Sequence, residues 1–294
     1  MANKKDSLGD RMKGNYESVT KTKLVKRMPV AIRIDGKAFH TFTRGFNKPY
    51  DLVLSRAMEL TTQKLCENIQ GCVFGYTQSD EITLILVDYK TLDTSAWFDN
   101  EVQKMCSISA SMATMWFAKM FALSAECFRN KMKIRANEDN GEILDELYFP
   151  DDVLKEYGIK DNETAQKLLD KYRDAIDKGA MFDSRVFNIP KEEVCNLLIW
   201  RQQDATRNSI EMLGRAYFSD KELFKKNCSN IQDMLMKQHG VNWNNISTRF
   251  KRGLCCKREV PEFPCIANHR PWFVDEDIPV FTQDRNYVES TILI

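Results

Sequence analysis

Three acidic residues in two short runs carry the chemistry most plainly. Asp35 stands in Arg33-Ile-Asp-Gly36, directly ahead of a glycine, and Asp80-Glu81 follow Gln78-Ser79. Carboxylates brought together repel one another unless a cation sits among them. Hard oxygen ligands working on phosphate substrates are the preference of Mg²⁺. Two such ions can clamp both the attacking and the leaving oxygen of a phosphoryl transfer. The plainer reading of Ser79-Asp80-Glu81 is a polar hairpin turn, and Asp35 weighs against it. Gly36 lets backbone approach a ligand closely. Lys37, His40, Arg44 and Lys48 then offer positive charge to a triphosphate. There is neither a G-x-x-x-x-G-K loop nor a G-x-G-x-x-G fingerprint, so metal ions must take more of the charge neutralisation. His40, within Phe39-His-Thr-Phe42, reads first as a packed loop residue, with a general base as its alternative.

The elements that must position these acids follow from the hydrophobic period. Pro29 to Ile34 is a buried strand ending at Asp35-Gly36. Leu52, Ala57, Leu60, Leu65 and Ile69 recur at helical spacing until Gly71 stops the helix. Cys72–Tyr76 and Ile82–Val87 form a hairpin whose tip carries the two acids. A helix is expected from about Asn100 to Ala125, a strand over Phe182–Ile189, and a helix from Lys191 to about Leu213. Between them, residues 129–179 are highly charged and read as a surface insertion with a helix over Glu163–Lys178. Residues 216–294 are helical at first and then irregular, with single short strands. Strand, helix, strand, strand, helix, insertion, strand is the order of a split βαβ, or ferredoxin-like, sheet in an α+β protein. In that order the first strand and the hairpin are neighbours, so Asp35, Asp80 and Glu81 are expected to converge.

Composition narrows the class without choosing the function. The 294 residues are 43% hydrophobic and 29% charged, with 12 Gly and 8 Pro, which excludes disordered and collagen-like chains. Lys plus Arg number 43 against 42 acids, so any polyanion must be held by local patches rather than a global field. The candidate patches are Lys21–Arg27, Arg129–Arg135 and Arg249–Arg258. Nine scattered Cys, with no apolar leader at the N-terminus, read as reduced thiols in a cytoplasmic protein. Zinc ligation by Cys255, Cys256, Cys265 and His269 is disfavoured, because no C-x-x-C spacing is present. Ser107–Ala125 is the most membrane-like stretch, but Lys119 and several hydroxyls mark it as a buried helix, and no membrane is expected.

Two long runs in order, Arg33-Ile-Asp-Gly-Lys-Ala-Phe-His40 and Gly75-Tyr-Thr-Gln-Ser-Asp-Glu81, resemble the tRNA-His guanylyltransferases and more closely their bacterial and archaeal guanylyltransferase-like relatives. The likeness continues through Lys48-Pro49, Trp97-Phe98 with Lys104, Phe182-Asp-Ser-Arg185, Trp200-Arg-Gln-Gln-Asp204, Tyr217-Phe-Ser219 and Lys251-Arg-Gly253. The resemblance implies a polymerase-type palm, formed by residues 1–128 and completed by 180–215, with 216–294 contacting tRNA. It implies nucleotide addition to the 5′ end of a tRNA. That end is first activated by ATP or GTP, or carries a triphosphate already. The 3′-hydroxyl of the incoming nucleotide then attacks the 5′ phosphorus, and pyrophosphate leaves a triphosphate end or a nucleoside monophosphate leaves an activated one.

On this resemblance Asp35 and Asp80 ligate two Mg²⁺ ions with help from the Gly36 carbonyl, and Glu81 supports the site. Lys37, Ala38, Phe39 and His40 line the nucleotide pocket, Ser79 touches the phosphate or base side, and Lys48 and Lys104 contact triphosphates. Asn208, Lys251 and Arg252 are the tRNA candidates, and a homotetramer is implied. One departure bears on substrate. Guanylyltransferases proper carry a His-Ile-Asn-Asn-Leu-Tyr-Asn run where this chain has Thr206-Arg-Asn-Ser-Ile-Glu-Met212, which keeps only Asn208. Glu101 and Val102 also stand where a basic residue is usual ahead of Lys104. The first departure favours a template-dependent enzyme that repairs 5′-truncated tRNA. The alternatives are a tRNA-His guanylyltransferase, a nucleotide cyclase-like enzyme and a non-catalytic RNA-binding protein.

Overall fold

Val30, Ile32 and Ile34 alternate with Ala31, Arg33 and Asp35, so the first strand has one wholly apolar face and one that turns polar toward its end. That asymmetry organises the molecule. The structure, a computed structural model, describes residues 7–136, 143–258 and 271–292. The strands are β1 (Val30–Gly36), β2 (Cys72–Gln78), β3 (Glu81–Leu86), β4 (Lys133–Ala136), β5 (Ile143–Tyr148), β6 (Phe182–Asn188), β7 (Leu254–Arg258) and β8 (Trp272–Asp275). The helices are α1 (Ser7–Asn15), α2 (Phe39–Phe42), α3 (Leu52–Asn68), α4 (Val102–Arg129), α5 (Asp151–Glu156), α6 (Asn162–Lys178), α7 (Val194–Tyr217), α8 (Asp220–Leu223), α9 (Cys228–His239), α10 (Thr248–Arg252) and α11 (Asn286–Ile292).

Six strands form one sheet in the order β6-β1-β3-β2-β7-β8, and every neighbouring pair runs antiparallel. Ile32, Ile34, Ile82 and Leu84 face α3 and α4, whose Ala57, Met58, Leu65, Ala113, Phe117 and Phe121 complete the larger core. Ala31, Ile85 and Val73 face the other way, against Leu197 and Leu198 of α7 and Val288 and Ile292 of α11. A third cluster joins Ile210 and Leu213 of α7 to Ile231 and Leu235 of α9. Asp51 caps α3, its carboxylate accepting from the Leu54 N–H at 2.9 Å.

Two expectations need correction. The sheet does not end at four strands, because β7 pairs with β2 through Gly75↔Cys256 and β8 extends it through Cys256↔Val274. Five residues reading Leu-Cys-Cys-Lys-Arg have too little alternation to announce a strand; pairing with a distant partner decides it. Nor is the 129–179 segment a purely helical surface addition. It contains the β4–β5 ribbon, and Ala165, Leu168, Tyr172 and Ala175 form a buried stripe that joins the main core. Tyr172 meets Phe46 and Phe121 edge-on at 5.1 and 5.8 Å. Among the described residues no helix is long and apolar enough to cross a membrane. Cys255 and Cys256 are buried on opposite faces of β7, and Cys265 and His269 lie outside the described residues.

Candidate active site

The register delivers the acids to one end of the sheet. Asp35 lies across from Glu81 on β3 and from Asp183 on β6. Ser79 and Asp80 make the two-residue turn between β2 and β3, with Ser79 in the left-handed region at φ 51°. The Gly36 N–H donates to the Asp80 carbonyl at 3.1 Å, which pins this turn to the end of β1. A Cβ at Gly36 would fall 2.2 Å from the Phe39 ring, so only glycine fits there. Burial pushes the Asp80 carboxyl above its ordinary range, the Ser79 hydroxyl at 3.0 Å partly offsets this, and the like charge of Asp35 adds to it. Among the described residues no Lys, Arg or His pairs with Asp35 or Asp80. Two neighbouring acids without a cationic side chain suit a divalent ion.

The third acid is placed differently from the expected convergence. Glu81 is 9% exposed, and its Oε1 lies 3.0 Å from Nε of the more deeply buried Arg201 on α7. Burial pushes the Glu81 carboxyl up to about 7, with Asp35 and Asp204 adding to the rise and Arg201 and Arg33 opposing it. Among the described residues no group of three or more His, Cys, Asp or Glu could hold a metal ion. The acids therefore form an Asp35–Asp80 pair with Glu81 tied behind it, not three ligands around one point.

Of the other expected residues, Lys37, Ala38 and His40 are exposed just past Gly36, with Ala38 at φ 53°. The Phe39 ring instead belongs to the core, packed against Phe42, Phe117 and Phe182 at 5.1 to 5.5 Å. Lys48 is exposed in the loop leading to α3. Asn47 holds that loop, its N–H donating to Asp51 at 3.0 Å and its amide to the Tyr157 carbonyl at 2.8 Å.

Lys104 is placed on the first turn of α4. Ser109 meets Ser184 at 2.7 Å and Thr114 accepts from the Phe182 N–H at 3.3 Å, so α4 passes the Asp35 end of β1 over those residues. Lys104 lies more than one turn earlier, its Nζ 5.3 Å above the Phe98 ring. At that end of the molecule Lys23 and Lys26 pair with Asp99 and pull its carboxyl down to about 2.

Ser79 and Asn208 line one cavity of about 90 Å³ between α3, α7 and α10. Tyr50, stacked on Phe250 at 4.8 Å, walls it, and the Tyr50 hydroxyl donates to the Ser209 carbonyl at 2.9 Å. A Cβ at Gly253, where φ is +86°, would meet the Thr77 carbonyl at 2.4 Å, so α10 can close on β2 only through glycine. Lys251 donates to the Asn244 carbonyl at 2.8 Å, and burial together with Arg252 lowers its ammonium below the usual range. The Arg252 carbonyl accepts from the Tyr76 hydroxyl at 2.7 Å. Sequence reasoning gave no part to Tyr50, Phe250 or Arg201. Arg201 did stand in the Trp200–Asp204 run that carries part of the family likeness, and its spacing to Asp204 makes an ion pair on α7.

A family model described as Thg1, tRNAHis guanylyltransferase, matches residues 9–190, more than half of the chain. The chain belongs to the tRNAHis guanylyltransferase family. It is therefore a nucleotidyltransferase of the class that acts on tRNA. A bacterial tRNA(His) guanylyltransferase-like protein solved in complex with ATP is 35% identical, over 98% of this chain and 100% of that one, with a TM-score of 0.72. Such a protein solved in complex with GTP is 32% identical over the same shares, with a TM-score of 0.66. An uncharacterized protein of Acanthamoeba polyphaga mimivirus is 28% identical over 98% of this chain and 88% of its own length. Within the guanylyltransferase family, then, the chain is similar to guanylyltransferase-like proteins over almost its whole length.

Proposed function

We propose that this family member is a template-dependent 3′-to-5′ nucleotidyltransferase that restores 5′-truncated tRNA using two Mg²⁺ ions. The observation that carries the reading is the Asp35–Asp80 pair, fixed at the sheet end by the Gly36–Asp80 hydrogen bond and lacking a cationic side chain. The order β6-β1-β3-β2, with α3 and α4 on one face, supports a ferredoxin-like, polymerase-type palm. The two carboxylates and the Gly36 carbonyl would hold the ions, which when bound supply charge neutralisation at the phosphates. A small protein ligand set with room for substrate phosphates is what Mg²⁺ accepts.

The chain's own residues bind and orient. Lys37 and Lys48, both exposed near this end, supply positive charge to phosphate oxygens. The Tyr50–Phe250 wall and the Ser79 and Asn208 side chains make the adjacent cavity a seat for a nucleobase. In that arrangement the 3′-hydroxyl oxygen of the incoming nucleotide bonds to the 5′ phosphorus as the leaving group departs, a nucleoside monophosphate from an end activated by ATP or GTP, whose pyrophosphate left in the activation, or pyrophosphate from a 5′-triphosphate end. Catalysis of this kind is positioning and charge stabilisation. Repair is favoured over tRNA-His maturation by the Thr206–Met212 run, in which Asn208 alone keeps the guanylyltransferase pattern, while Asn208, Ser209 and Met212 line the cavity.

The test is incorporation of labelled nucleotides, with Mg²⁺ and ATP, onto a tRNA lacking its first nucleotide while the opposing base is varied. Addition that follows the opposing base supports the reading. Addition of guanylate alone, to tRNA-His alone, replaces it with a guanylyltransferase. Nucleoside triphosphate turnover without RNA, and no tRNA product, favours a cyclase-like activity.

A further inference from the structure

Arg201 has no part in the reading above, yet it is the most constrained charged side chain near the acids. Its side chain is 5% exposed on the second turn of α7. Its Nε lies 3.0 Å from the Glu81 carboxylate in an ion pair without a hydrogen bond, its terminal nitrogen pairs with Asp204, and its guanidinium carbon lies 4.0 Å from the centre of the Trp200 ring. Asp204 is held in turn by the exposed Arg207. Two carboxylates and the Trp200 ring therefore surround the guanidinium, which attracts Glu81 by its charge.

Glu81 is the first residue of β3, bonded directly to Asp80 and in register with Asp35. Its carbonyl accepts from the Thr77 hydroxyl at 3.0 Å, which ties it across the hairpin. Anchoring Glu81 thus anchors the turn before it. A buried ion pair adds little stability over well-packed apolar residues of the same size. Orientation is what this pair contributes.

Resting on the metal-pair reading, we propose that Arg201 is a positioning residue of the transfer site. Through Glu81 it holds the β2–β3 turn, and with it the Asp80 carboxylate, at a fixed spacing from Asp35. It belongs to the outer set of contacts that orient metal-holding carboxylates, whose loss typically weakens binding by about 10 to 100-fold.

The experiment measures Mn²⁺ binding to the full chain by electron paramagnetic resonance, with nucleotide-addition kinetics and circular dichroism alongside. Arg201→Met is expected to weaken Mn²⁺ binding by about tenfold or more and to lower kcat while the nucleotide KM changes little. Arg201→Lys, which keeps the charge without the fork, recovers part of both and stands in if the Met variant does not fold. Glu81→Gln combined with Arg201→Met is expected to bind Mn²⁺ no more weakly than Glu81→Gln alone, since the arginine acts through the glutamate. A folded Arg201→Met protein with native Mn²⁺ affinity and rate, or single effects that simply add, overturns the proposal. Asp35→Asn keeps the two levels apart. If it too leaves Mn²⁺ binding untouched, the metal-pair reading has failed; if only the arginine variants are silent, Arg201 alone is wrongly placed.

Discussion

At the residue scale, the site stores an electrostatic conflict. Burial raises the cost of ionising Asp80, and the like charge of Asp35 adds to it. Replacing either by Asn keeps shape and removes a charge. Asp35→Asn and Asp80→Asn are each expected to abolish nucleotide addition in the labelled-tRNA assay, while the melting temperature by circular dichroism holds or rises. A variant retaining near-native rates would end the two-ion assignment. Both aspartates could be picked out from the chain, because acids beside Gly36 and in a Ser-Asp-Glu turn are chemically legible. Glu81 was legible as an acid but not as an ion-paired one, since its partner lies on a helix more than a hundred residues later.

At the element scale, α6 braces the loop that carries Lys48. The Tyr172 hydroxyl donates to the buried Asp51 carboxylate at 2.7 Å, the same group that caps α3 and accepts from Asn47. Tyr172→Phe leaves that acceptor short of one donor and is expected to cost about 1 to 3 kcal/mol in urea unfolding. Burial raises the Asp51 carboxyl above its ordinary range, against the opposing pull of the Leu54, Tyr172 and Asn47 hydrogen bonds. In the unfolded chain Asp51 loses its proton first, so between the two values the native state binds more protons and stability falls as pH rises. Its contribution is present in acid and lost once pH passes the raised native value. Asp51→Asn, which retains the capping oxygen, is expected to show a smaller loss than the native chain as pH rises from the ordinary carboxylate range through the raised native value. Gly253→Ala is expected to weaken the closure of α10 on β2, because a Cβ at positive φ meets the Thr77 carbonyl. Lower melting temperature and weaker binding of a fluorescent nucleotide analogue would report it. The Ala165, Leu168, Tyr172 and Ala175 stripe was present in the sequence, but the surrounding Lys and Asp residues outnumber it.

For the whole molecule, charges that read as clusters along the chain are partly spent on one another. Lys23 and Lys26 serve Asp99, Lys131 serves Glu156, and Arg249 is buried against Glu59. With a net charge of only +1, tRNA binding must rest on the cations left over. Affinity is expected to fall steeply with salt, and Lys251→Gln to reduce the slope of log K against log salt by about one. A filter-binding titration at several salt concentrations checks this, and an unchanged slope removes Lys251 from the interface. Legible in the chain alone were the strand, helix, strand, strand, helix, strand order, the two acids at strand ends and the class of chemistry, because hydrophobic period and short polar runs are local signals. What needed the folded chain was that the sheet runs on through β7 and β8, that the Phe39 ring is core and that Arg201 pairs with Glu81. Each of these depends on which distant residue fills the neighbouring space, and chain order does not encode that locally.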